Sequence, residues 1–396
     1  GQHLLHRISP ASRDDRIFEI INQLNYGTTL VVTQAEKDDL ATLNLTACRK
    51  ARLATAYQAA LEYATVGLHL LGADAWERHY AMTLALHDLA AEVAFLAGDF
   101  DRMHDWIEAV IQQAHTPLER VSVYQVKIQA LVARNEFVAA IAIGQAVFQM
   151  LGVHLPDEPT LDDIRQIKDE IDQLIEGRTV ESFMALPPMT DPQQLAIMQN
   201  AARLTPVCYM AGTKLYFLVV ALQVKLSIQF GNSPVSPYCY AGYAFQLRIL
   251  WGDMSLVPQF GQLGYQLAAE PEAKNIRAAT ALLMGGYVGH WTTHLQDSLP
   301  ILLEGYQAGL ETGNLEFMGY DAQLYCLNAY WCGQPLPELE PQIRAYYQQL
   351  CDLNQFTAAN CVLAYWQAAQ ILLGQAEPAI PLRQAEYEAQ VLEEAK

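Results

Sequence analysis

His290 and His294 stand four residues apart, a spacing at which two imidazoles on one helical face can share a zinc ion. The rest of such a site is missing: no Glu follows His290 and no third ligand lies nearby, so a histidine at a helix end beside Trp291 is the simpler reading. The pairs Asp14-Asp15, Asp38-Asp39 and Asp162-Asp163 offer general-acid material. Each lies at or near an expected helix start, where a carboxylate caps free N–H groups and offsets the dipole. Gly212-Thr213-Lys214 lacks the leading glycine and the spacing of a phosphate loop, and no G-x-S-x-G elbow occurs. Seven cysteines (Cys48, Cys208, Cys239, Cys326, Cys332, Cys351, Cys361) make no C-x-x-C pair, and their odd number suits reduced core thiols of a cytosolic protein. These residues predict no catalytic group, cofactor or metal.

Binding is the better-supported chemistry. Polar residues recur at helical spacing on otherwise apolar segments: Arg49, with Arg52 one turn on, then Asp88 and Glu92, then Gln125 and Gln129, and later Gln246. They fit a wet groove that holds a protein or peptide; the competing account is that Arg49 and Arg52 simply pair with Asp88 and Glu92 on the neighbouring helix. A second candidate is the aromatic group Tyr209, Tyr216, Tyr238, Tyr240, Tyr243 and Trp251, which suits a pocket wall for a small-molecule effector or else a core.

The elements that position these residues are repeats. Tyr57 is followed by Ala60, Ala64, Gly67 and Leu68; Phe100 by Met103, Ile107, Val110 and Ile111; Phe137 by Ala140, Gly144, Val147 and Phe148. Offsets of 3, 7, 10 and 11 put all five side chains on one helical face. The aromatics are 43 and 37 residues apart, and turn residues precede the later two at Gly98-Asp99 and Asn135-Glu136, a pattern of tetratricopeptide type. Counting back 8 and 12 residues from Phe100 and Phe137 selects the polar residues on those two helices, the face expected to line a concave groove.

The ladder returns from Met254 after the turn at Gly252-Asp253. Helices are expected at 15–24, 34–52, 57–71, 75–97, 100–114, 118–133, 137–151, 161–176, 193–211, 214–230, 275–291, 295–311, 315–331, 339–350, 356–373 and from 378 onward. The expected fold is all-α, an α-solenoid of about eight antiparallel helix pairs. Residues 1–152 form one array, the proline-rich 153–192 a connector with one helix, and 193–396 a second array.

Composition narrows the function. Hydrophobic residues are 52% and charged residues 17%, enough apolar material for a large core. The 24 basic and 43 acidic residues give a formal charge of -19 with no massed basic stripe, which argues against nucleic acid and anionic membrane surfaces as partners. The longest apolar run, 215–222, is too short to span a bilayer. A soluble, cytoplasmic segment excised from a longer chain is expected, beginning as it does at Gly1 and ending inside a charged helix.

Several stretches resemble one family. The run Asp15-Arg16-Ile17-Phe18-Glu19-Ile20-Ile21-Asn22-Gln23-Leu24-Asn25, residues 44–71 with Ala54-Thr55-Ala56-Tyr57 inside them, and residues 90–100 are similar to the helical region of the large cyanobacterial multidomain signalling kinases. So are Lys127-Ile128-Gln129-Ala130, Leu151-Gly152-Val153 and the span from Gly286 through Gly313-Asn314-Leu315-Glu316-Phe317. The resemblance implies a serine/threonine kinase domain and an AAA-type ATPase domain of the STAND class before such a region, and a GAF domain and sensor histidine kinase after it. None of the family's catalytic motifs lies in this segment. What it implies here is a tetratricopeptide-like coupling scaffold contacting flanking domains, or alternatively a region that senses a small molecule for the ATPase.

Overall fold

Four helices that open on an aromatic follow a residue whose backbone turns left-handed. In the computed structural model, which describes residues 16–375 apart from Asp253, Thr55, Gly98, Asn135 and Asn354 have φ of 57°, 79°, 58° and 58°. They lie two places before Tyr57, Phe100, Phe137 and Phe356, each the first residue of a helix. The next amide reaches back five places, Ala56 to Ala51, Asp99 to Ala94, Glu136 to Leu131 and Gln355 to Leu350, at 2.8–2.9 Å. This closure satisfies a carbonyl that a helix end leaves bare. Asp14-Asp15, Asp253 and the helix expected from residue 378 lie outside the described residues.

In chain order the first helices are α1 (Ile17–Asn25), α2 (Gln34–Leu53), α3 (Tyr57–Leu71), α4 (Ala75–Arg78), α5 (Tyr80–Leu96), α6 (Phe100–Gln113), α7 (Pro117–Ala133) and α8 (Phe137–Met150). They are followed by α9 (Leu161–Ile175), α10 (Pro192–Met210), α11 (Leu215–Phe230), α12 (Ser236–Gln246) and α13 (Val257–Leu267). The last are α14 (Arg277–Leu283), α15 (Ser298–Thr312), α16 (Leu315–Trp331), α17 (Leu336–Asp352) and α18 (Phe356–Leu372). Among the described residues there is no strand, only an isolated bridge between Pro188 and Asn232. The all-helical class is as expected.

Residues up to Thr160 together with Asp191–Val219 form one compact unit; Leu161–Thr190 together with Val220 onward form the other. The division therefore does not follow the expected segments 1–152, 153–192 and 193–396.

In the first unit α2 packs on α3, α5 on α6 and α7 on α8. The ladder faces supply the contact: Ala60, Ala64, Ile107, Val110, Ala140, Val147 and Phe148 are all buried. Opposite them, Ala90, Ala91 and Ala94 of α5 are fully buried too, small side chains that let the helices approach. Thr33 and Thr116 open α2 and α7 with capping boxes: each hydroxyl accepts from the backbone N–H of Glu36 or Glu119, whose carboxylate takes the threonine N–H in return. Side-chain ties between successive pairs recur one repeat apart: Arg52 to Glu92 and Arg78 to Asp38 span 40 residues, Tyr80 to Glu119 spans 39.

The second unit shows the same spacing, with Tyr265 donating to Glu304 across 39 residues and Tyr306 to Gln349 across 43. Its segment 161–190 is held by Lys225 on Glu170 at 2.6 Å, and by Met189 N–H to the Asn232 carbonyl and Asn232 N–H to the Pro187 carbonyl at 2.8 and 2.9 Å. Gly231 makes that approach possible: its φ is 100°, and a Cβ there would stand 2.1 Å from the Pro187 oxygen.

Three expected helices differ. The one expected at 75–97 breaks at His79 (φ −137°, ψ 51°), leaving α4 and α5. The one expected at 275–291 is a 3₁₀ turn, then α14, then a π-helical turn at Met284–Val288; a second π turn, Leu247–Trp251, prolongs α12. The ladder at Met254 begins its helix at Val257, because Pro258 has no N–H to donate and is tolerated only in a first turn. The phase was nonetheless right, since Val257, Gly261 and Gly264 are buried.

Candidate functional site

Four helices of the first unit, α2, α5, α7 and α10, carry a row of polar side chains. The sequence puts them there by helical spacing: Arg49 and Arg52 on α2, Asp88 and Glu92 on α5, Ser122, Gln125 and Gln129 on α7, and Arg203 on α10. Arg52 donates to Glu92 at 2.8 Å, and both side chains remain about one-third exposed. Arg49 is exposed, and among the described residues it makes no hydrogen bond or ion pair.

Burial pushes the Asp88 carboxyl up to about 6, and the nearby negative charge of Glu119 adds to this, while a hydrogen bond from Ser122 draws it back. Its Oδ1 is buried without a hydrogen-bond partner, as are Gln125 Nε2 and Arg52 Nε. Arg203 is exposed to solvent yet shielded by surrounding protein: that shielding holds its guanidinium below the usual value, against the attraction of Glu92. Spacing did not select Arg203 because the helix after it opens on Leu215 rather than on an aromatic, so the counting rule had no anchor.

An aromatic step flanks the row. Tyr80 stacks on His115 with centroids 3.9 Å apart and planes within 4°, and Trp76 lies 5.7 Å from Tyr80 and 4.8 Å from His87. The Tyr80 hydroxyl donates to Glu119 at 2.8 Å and accepts the His115 N–H at 3.0 Å. Tyr80 and His115 are 35 residues apart, and no periodicity in the chain pairs them.

The other expected site residues are placed differently. Gln246, counted onto the same groove side, belongs to the second unit and is fully buried, with neither amide atom hydrogen-bonded. The aromatic group is divided. Tyr209, half exposed, lies 5.6 Å from the buried Tyr216 in the first unit. Tyr238, Tyr240 and Tyr243 are buried in the second unit, against Phe317 at 6.2 Å and Phe260 at 6.0 and 5.1 Å. Tyr240 donates to Asn232 at 2.9 Å, and Trp251 lies under Arg165 at 5.6 Å.

Other chemistry candidates have structural partners. The His294 ring accepts the Gln296 N–H at the head of a 3₁₀ turn, and His290 rests against Trp291 at 4.9 Å. Among the described residues no group of three or more His, Cys, Asp or Glu is arranged to hold a metal ion, and no helix is long and apolar enough to cross a membrane.

No protein-family model matches the chain. It is similar to hybrid signal transduction histidine kinase G of Dictyostelium discoideum, with 22% identity over 368 residues that cover 84% of this chain and 11% of that protein. The chain thus spans about a tenth of the length of the curated relative it matches.

Proposed function

We propose that this chain is a non-catalytic, tetratricopeptide-like coupling region of a larger signal-transduction protein, binding a protein or peptide segment on the polar row of its first unit. The observation that carries the reading is that Arg52 of α2 bonds Glu92 of α5, whose charge also acts on Arg203 of α10, while Arg52 Nε, Asp88 Oδ1 and Gln125 Nε2 are buried and unbonded. Ties one repeat apart support a stacked-pair architecture, in which such faces line a groove. The likeness to a hybrid histidine kinase along most of the chain supports a signalling context. The flanking kinase and ATPase domains implied by the resemblance are the proposed partners, in a cytoplasmic setting.

Capture of separately expressed flanking domains by the immobilised chain tests this. Retention of at least one domain is expected, with loss of retention on Glu92→Ala/Gln129→Ala. Failure to retain any of them removes the proposal.

A further inference from the structure

Tryptophan stands at 251, 291 and 331, one every 40 residues, and each closes its element: the π turn Leu247–Trp251, the 3₁₀ turn Gly289–Trp291 and α16. All three belong to the second unit. Contacts tie the series together. Arg248, three places before Trp251, lays its guanidinium 4.1 Å from the centre of the Trp291 ring. Asn328, three places before Trp331, donates to Ser298 Oγ at 2.8 Å, where α15 opens after Trp291. Arg165 lies over Trp251 at 5.6 Å, so two of the three rings carry an arginine on one face.

The third ring is bare. The place 40 residues after Arg248 is held by Val288, which is buried and carries no charge, and among the described residues no cation lies over Trp331. Trp331 is 68% exposed against 46% for Trp291, and the other four tryptophans are more covered still. Trp291 also turns its indole N–H onto the Tyr287 carbonyl at 3.0 Å, whereas the Trp331 indole makes no hydrogen bond among the described residues. Both the face and the N–H of Trp331 are therefore open to a partner.

We infer that Trp331 is a docking point for an arginine-bearing peptide segment of a partner, whose guanidinium takes the face that Arg248 takes on Trp291. The surroundings choose a cation over a plain apolar group. Trp331 is the last residue of a 17-residue helix, the end at which the dipole is negative and positive charge is stabilised. Residues 292–375 hold eight acidic side chains and one basic, Arg344, so positive charge is drawn to this part of the chain. Glu338, exposed and without an ion pair among the described residues, lies in the first turn of the next helix, seven places on. Arginine suits the ring better than lysine, because its planar, weakly hydrated guanidinium stacks on an indole whereas the ammonium keeps its water. The site belongs to the second unit and stands apart from the polar row of the first.

The test uses the whole 396-residue chain with nitrogen-15 in its tryptophans, titrated with glycine-serine peptides of equal length that carry arginine, lysine or leucine at the same places. The indole N–H resonance of Trp331, identified by its loss in Trp331→Leu, is expected to shift with the arginine peptide more than those of the other tryptophans, and less with lysine or leucine. Fluorescence anisotropy of the labelled arginine peptide is expected to show binding weakened about threefold or more by Trp331→Leu, with binding of the lysine peptide unchanged. Helical circular dichroism of the variant establishes that the fold persists, as the exposure of Trp331 leads one to expect. Equal shifts with the lysine or leucine peptide, equal binding of the arginine peptide by Trp331→Leu, or no binding of that peptide at all overturns the inference.

Discussion

The side-chain amide of Asn200 donates to the backbone carbonyl of Gly144 at 3.0 Å, and one turn away Leu204 occupies the space a Gly144 side chain would need. Helix α10 is thereby set directly against the backbone of α8. A Cβ on Gly144 would stand 2.2 Å from Leu204 Cδ1, so Gly144→Ala is expected to cost about 1–3 kcal/mol. Gly264 is tighter in kind: its Cβ would meet the Pro237 oxygen at 2.5 Å and the Ala241 nitrogen at 2.9 Å, which are backbone and cannot swing aside. Gly264→Ala should lower the thermal midpoint more than Gly144→Ala, and Leu204→Ala should rescue only the latter. The reverse order would show that α8 and α10 are the less yielding contact.

Asp88 should titrate near its raised value of about 6. Carbon-13 NMR of the carboxyl reads this directly. Because the folded value exceeds that of the unfolded chain, folding takes up a proton between about pH 4 and 6, and stability falls as pH rises through that window. Ser122→Ala removes the hydrogen bond that favours the charged form and should raise the midpoint further; Glu119→Gln should lower it. An Asp88 midpoint in the ordinary carboxylate range contradicts the burial described here.

Asp321 is a buried carboxyl in the second unit, fully inaccessible, with neither oxygen hydrogen-bonded. Desolvation drives it well above the usual range, so it folds as the neutral acid. The sign is the same as for Asp88: folding costs progressively more as pH rises above about 4, until the folded group itself ionises. Asp321→Asn, which is neutral at every pH, should therefore unfold with a flatter pH dependence between acid and neutral conditions than the unsubstituted chain. Identical profiles would mean that Asp321 is ionised in the folded state.

The Arg52–Glu92 pair is expected to contribute little to stability. Both side chains are about one-third exposed, and pairs of that kind are worth roughly 0.2–1 kcal/mol, less in salt. A double-mutant cycle with Arg52→Ala and Glu92→Ala measures the coupling; a value above about 2 kcal/mol would place the pair among desolvated structural bridges.

Local signals were legible in the chain and encircling ones were not. The ladder located the starts of α3, α6 and α8 to the residue, and Ala60, Ile107 and Ala140 are buried as their spacing requires. Asp88 and Glu92 were selected by the same count, as were Gln125 and Gln129. Gln246 obeys that count too, yet is fully buried, because the count marks a face and says nothing of what covers it. The tyrosine group looked continuous because its members cluster in number, whereas Tyr240 and Tyr243 are buried against Phe260 and Tyr209 is half exposed in the other unit. The π turns have no periodic signature at all: each is one residue of excess winding inside a pattern that otherwise reads as α.

Neither compact unit is a continuous length of chain, since Leu161–Thr190 belongs with the second and Asp191–Val219 with the first. No single scission can therefore yield two complete halves. A fragment ending at Val219 keeps all of the first unit's share but takes 161–190 away from the second, and one ending at Thr160 leaves α10 behind. Dissection of this protein by truncation will separate pieces that each lack a segment, whereas joining Thr160 directly to Asp191 keeps the two stretches of the first unit together.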